Sequence, residues 1–153
     1  MFYWILAVVI VAVDQLVKAL VRAYIPLHTA VSFLPGFDLA YVQNTGAAFS
    51  ILNAHTWMLT VLSAVVAVIL AAALAKKSLP HWTGMLALSL LLGGAVGNLI
   101  DRAAFGFVTD MFAATFMNFP VFNVADIGVT VGGFLLCVHV ILFYRKERKE
   151  EEK

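Results

Sequence analysis

The stretch VTDMFAATFMNFPVFNVADIG, residues 108 to 128, holds Asp110 and Asp126 sixteen residues apart among apolar neighbours. Six phenylalanines fall between positions 105 and 122. A carboxylate in such surroundings is costly unless it is paired, protonated or functional. One reading is structural: Asp126 stands two residues into an apolar helical run, where a negative charge suits the helix N-terminus. The other is chemical. If the chain folds back to bring the two carboxyls together, both cannot ionise easily and one proton is shared. The ionised member then takes a proton from water while the protonated one hydrogen-bonds the carbonyl under attack. This is aspartic-peptidase chemistry, and it calls for no metal, no cofactor and no covalent intermediate. The chain has neither H-E-x-x-H nor G-x-S-x-G. Its one cysteine, Cys137, excludes an internal disulfide and a cysteine-rich metal site.

Other polar residues need placing. Asp14, Lys18 and Arg22 recur at i, i+4 and i+8 on one helix face. The expectation is that Asp14 pairs with Lys18 toward a bundle interior, a structural role. Asn98, Asp101 and Arg102 follow Gly93, Gly94 and Gly97, small residues that let helices approach closely. Asp101 is expected in a helix-end polar cluster that satisfies terminal carbonyls. Arg102 has a guanidinium suited to peptide carbonyls or a lipid headgroup. His139 is expected as a neutral, hydrogen-bonded core histidine, and Gly128 and Gly132 as a GxxxG packing pair.

The elements that must hold these residues are membrane spans. Of 153 residues, 63% are hydrophobic and 12% charged, far from the balance of a soluble domain. Spans are predicted at about 2–24, 57–75, 82–100 and 124–144, each near the length that crosses about 30 Å of hydrocarbon. The N-terminus reads as a retained helix, without the basic start or small-residue cleavage site of a signal peptide. One integral-membrane domain of four helices is the expected organisation. Lys76, Lys77 and the basic residues of the tail 145–153 belong to the cytoplasm, which puts both termini inside. Residues 25 to 56 contain no Lys or Arg, as an outward-facing loop should. All five aspartates then fall on the outer half, with Lys18, Arg22 and Arg102 beside them. The first outer loop predicts a small β-hairpin turning at Asn44-Thr45-Gly46. The second, rich in Phe, is expected at the headgroup boundary. Nothing suggests nucleic-acid binding.

The blocks DQLVK (14–18), QNTGAAFS (43–50), GGAVGNLIDR (93–102), VTDMF (108–112) and FPVFNVADIG (119–128) together resemble lipoprotein signal peptidase, the signal peptidase II family of bacterial membrane aspartic peptidases. The resemblance covers nearly the whole chain. It implies Asp110 and Asp126 as the catalytic dyad, and Asn44, Gly46, Asn98, Arg102 and Asn123 as residues that line the site and hold the substrate or orient the dyad. Asp14 and Lys18 fall at positions regarded as supporting. The implied fold is an all-α, four-transmembrane-helix bundle with a small outer-face β-cradle and a short interfacial helix. The implied substrate is a prolipoprotein with a lipobox and a diacylglyceryl cysteine, cut on the amino side of that cysteine. The implied location is the bacterial plasma membrane, with the active site near the outer face and membrane lipids around a chain expected to be monomeric. Phe112, Phe116, Phe119 and Phe122 would meet peptide and acyl chains, and their loop is expected to act as a lid that excludes water.

Two other functions compete. A small proton-coupled transporter would also use intramembrane carboxylates, but it calls for polarity across both leaflets and internal symmetry. A structural subunit would leave the carboxylate pair and the five blocks without purpose.

Overall fold

A computed structural model describes residues 1–46, 56–79 and 81–151. Four long helices dominate: α1 (Phe2–Tyr24), α2 (Thr56–Ala75), α3 (Trp82–Phe105) and α4 (Val124–Glu151). Each contains an apolar window long enough to cross a membrane. Helix α3 is the hub, packing against the other three. In its most apolar window 56% of residues are buried, against 17–22% in the others. Its glycines explain how. A Cβ on Gly93 would lie 2.8 Å from Ile10 of α1, and one on Gly94 would lie 2.4 Å from the Ala125 carbonyl of α4. Gly128 and Gly132 meet α3 from the other side, beside the Leu90 carbonyl and the Leu91 nitrogen. The exposed stripe of α2, including Val61, Leu62, Val65, Val68 and Ile69, is the surface that hydrocarbon would solvate.

Three antiparallel strands cover one end of the bundle in the order β1 (Ala30–Leu34), β2 (Phe37–Asn44), β3 (Val108–Ala114). A hairpin turn lies at Pro35-Gly36, between β1 and β2. Gly36 adopts φ +89, the left-handed conformation that a tight turn between β1 and β2 requires. Asn44 ends β2, and its side-chain oxygen accepts the Gly46 N–H at 3.0 Å, so the chain bends away there. The second arm of the hairpin expected around Asn44-Thr45-Gly46, residues 47–51, lies outside the described residues.

Two helix ends differ from expectation. Helix α3 runs past Ile100 to Phe105 and stops where Gly106 takes φ 76 and donates its N–H to the Arg102 carbonyl. Helix α4 continues beyond 144 to Glu151, because the Arg, Lys and Glu of the tail are strong helix formers. Among the described residues there is no separate short helix. Residues 106–123 supply β3 and a β-bridge between Phe112 and Phe122.

Candidate active site

The site forms where β3 and the start of α4 meet the sheet end of α3. Strand β3 pairs with β2 in a register interrupted between Leu39 and Val42, and Val42 stands opposite Asp110. After β3 the chain loops out and returns through Phe122, whose carbonyl accepts the N–H groups of Met111 and Phe112 at 3.0 and 2.8 Å. That bridge brings Asn123 beside Asp110.

Three asparagines hold the two carboxylates. Asp110 accepts from the Asn44 side-chain nitrogen at 3.0 Å and from that of Asn123 at 2.6 Å. Asp126 accepts from the Asn98 side-chain nitrogen at 2.8 Å and from the Asn123 backbone at 3.2 Å. The orientation of each amide is settled by its other end. The oxygens of Asn44, Asn98 and Asn123 accept from the Gly46 N–H, the Lys18 ammonium and the Asp126 N–H respectively. Those partners can only donate, so each amide nitrogen must face a carboxylate. Burial pushes the Asp110 carboxyl up to about 6, with the Asn44 amide opposing the shift and the charge of Asp126 adding to it.

The two remaining buried aspartates are treated differently. Asp14 pairs with Lys18 at 2.8 Å, and all their side-chain surface is buried. Asp101 lies 3.7 Å from Lys18 and 3.5 Å from Arg22, and accepts the Thr109 N–H at 2.8 Å. It therefore does not serve the helix-end carbonyls expected of it. A carboxylate only accepts, and cannot satisfy another acceptor. Arg102 donates to the Gly46 carbonyl at 3.3 Å, while its Nε is buried with no hydrogen-bond partner among the described residues.

A cavity of about 500 Å³ opens between the site and the outer surface of α4. Asp110, Asp126, Asn44, Asn98 and Arg102 form its polar wall, and Phe119 contributes to an otherwise apolar lining. Gly46 lies next to it, held by Asn44 and Arg102. Asn123 is fully buried behind Asp110. His139 sits elsewhere, near the start of α3, with its Nδ1 2.8 Å from the Thr83 hydroxyl. Sequence reasoning named no partner for it, because Thr83 is 56 residues away. Gln15 was also missed: its amide reaches Asp14, Asp101 and the Gly97 carbonyl. Only its place beside Asp14 in the sequence could have flagged it.

The family profile described as "Signal peptidase (SPase) II" matches residues 6–142 of the chain. The chain belongs to the signal peptidase II family. It is 40% identical to a lipoprotein signal peptidase of Brevibacillus brevis over 97% of this chain and 100% of that protein. A lipoprotein signal peptidase of Symbiobacterium thermophilum is 43% identical, with 93% and 95% covered. Two solved structures share the fold, both described as a bacterial membrane enzyme. One superposes with a TM-score of 0.87 at 27% identity, covering 99% of this chain and 93% of its own. The other gives 0.82 at 27% identity, covering 91% and 92%. The chain is thus a membrane peptidase with a four-helix bundle and a small sheet.

Proposed function

We propose that the chain is an intramembrane aspartic endopeptidase that removes signal peptides from diacylglyceryl-modified prolipoproteins, on the amino side of the lipidated cysteine. One observation carries this reading. Of the four aspartates that α1, α3, β3 and α4 bring to this end of the bundle, Asp14 and Asp101 are neutralised by Lys18 and Arg22. Asp110 and Asp126 form no ion pair among the described residues; they accept only from neutral amides and line one cavity. Two carboxylates that face one cavity without an ion-pair partner ionise together less easily than singly, which favours one shared proton.

Asp110 is the more buried member, which suits it to carry that proton. Asp126 is half-exposed to the cavity and acts as the base. Water loses a proton to Asp126 as its oxygen adds to the scissile carbonyl, and Asp110 gives its proton to the carbonyl oxygen. The tetrahedral diol collapses when Asp126 passes its proton to the leaving nitrogen, the C–N bond breaks, and Asp110 recovers a proton from a diol hydroxyl. Asn44, Asn98 and Asn123 orient the carboxyls, and Arg102, anchored on Gly46 and lining the cavity, offers its guanidinium to a substrate carbonyl.

The apolar lining suits the substrate's acyl and signal-peptide chains, with Phe119 and its loop as the lid. The basic residues argue for a single plasma-membrane domain with both termini cytoplasmic and the sheet end outside, acting as a monomer. The test is a gel-shift cleavage assay in detergent on a diacylglyceryl-modified prolipoprotein. Asp110→Asn and Asp126→Asn, both checked for folding, each abolish cleavage. Near-wild-type turnover by either variant overturns the dyad.

A further inference from the structure

The two cation-paired aspartates, Asp14 and Asp101, share one arrangement. Asp101 accepts the backbone N–H of Thr109, the residue immediately before Asp110, at 2.8 Å. Asp14 accepts the backbone N–H of Ala125, the residue immediately before Asp126, at 2.9 Å. Lys18 lies between them, 2.8 Å from Asp14 and 3.7 Å from Asp101. Gln15 spans the same gap, its amide nitrogen 3.2 Å from each carboxylate. Asp14, Lys18 and Asp101 are all fully buried, and none of them lines the cavity.

We propose that Asp14 and Asp101 are positioning residues for the reaction. Each clamps the backbone just ahead of one dyad aspartate, and Lys18, by bridging them, ties both positions to a single spacing. The inference rests on the dyad reading above and extends it to residues that touch no substrate. Stability alone is a poor reason for the arrangement. Well-packed apolar residues usually serve a core as well as buried ion pairs do, but apolar side chains cannot accept the two N–H groups. A shared proton and an in-line water need the carboxyls held to a fraction of an ångström. A hydrogen-bonded bridge between α1 and α3 supplies that from behind.

The experiment is steady-state kinetics of the full chain in detergent on the lipid-modified substrate, with thermal melting of each variant. Asp101→Ala and Asp14→Ala remove a clamp. Asp101→Asn and Asp14→Asn remove only the charge, since the amide oxygen still accepts the N–H. The Ala variants are expected to lose about 10- to 100-fold in kcat per folded enzyme, with KM within about twofold. The Asn variants are expected to regain kcat to within about threefold of wild type even where they melt lower. Folded Ala variants that turn over at the wild-type rate overturn the proposal. So do Asn variants that lose as much as the Ala variants. Where an Ala variant does not fold, the Asn variant decides: a folded one that loses more than about tenfold in kcat refutes the clamp, and retention supports it. Asp110→Asn runs alongside. If it still cleaves, the dyad itself is wrong, whereas an inactive Asp110→Asn beside a fully active Asp101→Ala removes the positioning role alone.

Discussion

Asn123 and Asp126 cap each other: the Asn123 side-chain oxygen accepts the Asp126 N–H at 2.9 Å, and the Asp126 carboxylate accepts the Asn123 N–H at 3.2 Å. This is a reciprocal capping box at the start of α4. The structural and chemical readings of Asp126 are therefore compatible, since one carboxylate oxygen serves the cap and the other faces the Asn98 amide. The Asn123 amide nitrogen is then free for Asp110, at 2.6 Å. Serine is as good a cap but too short to reach Asp110. Asn123→Ser should therefore melt close to wild type yet lose cleavage by about 100-fold. Asn123→Ala should lose the same activity and about 1 kcal/mol of stability as well. Melting curves and the gel-shift assay separate the two effects.

The Asn44 amide makes a prediction about pH. Its hydrogen bond stabilises the ionised form of Asp110 and so opposes the burial that lifts this carboxyl to about 6. In the proposed mechanism the pair must keep one proton, so kcat/KM falls on the alkaline side as that proton leaves the free enzyme. Asn44→Ala removes a contact that favours the charged form. The proton is then held more tightly, and the alkaline limb moves to higher pH while the maximum rate falls. A limb that stays put or moves to lower pH is the contrary result.

Helix packing sets the third prediction. A Cβ on Gly94 would lie 2.4 Å from the Ala125 carbonyl and 2.7 Å from Val129, so Gly94→Ala must push α3 and α4 apart beside the dyad. A Cβ on Gly133 meets nothing within 4 Å. Gly94→Ala should cost about 1–3 kcal/mol, as overpacking does, and depress cleavage further by displacing Asp126. Gly133→Ala is expected to leave both unchanged. Equal melting temperatures for the two variants would contradict the close α3–α4 contact.

Much of this was legible in the sequence for simple physical reasons. Apolar runs of about 20 residues have few alternatives to a transmembrane helix, so the expected spans start within a residue of α1 to α4, while α3 and α4 run on past their expected ends. Asp14 and Lys18, one helical turn apart, could be paired from spacing alone. Long-range contacts were another matter. Asp101 looked like a helix-end residue because Thr109, whose N–H it accepts, lies across the Gly106 turn. The turn at Pro35-Gly36 between β1 and β2 is not expected from the sequence, because turn-forming residues cluster more densely at Asn44-Thr45-Gly46. Short strands with weak alternation specify their register poorly. β3 is not expected as a strand at all, and it is held by pairing with the distant β2, Val42 opposite Asp110 and Asn44 opposite Val108.

Phe119 tests what the cavity binds. It lines the cavity beside the polar wall, 47% exposed, with its ring edge-on to Phe122 at a centroid distance of 5.9 Å. Because it is so exposed, its replacement should cost the fold little. Burying a Phe-sized side chain against an apolar partner contributes about 1.5–3 kcal/mol, which corresponds to roughly 10- to 100-fold in an equilibrium constant. Phe119→Asp sets a charge where the proposed acyl or signal-peptide chain lies, and should raise KM by at least about that factor. Phe119→Leu, which keeps the surface apolar, should stay within about fivefold of wild type. If the loop also closes as a lid, kcat falls in Phe119→Asp too, because water is no longer excluded from the dyad. Unchanged kcat and KM in Phe119→Asp would remove both the lid and the apolar subsite, while leaving the carboxylate pair to stand on its own geometry.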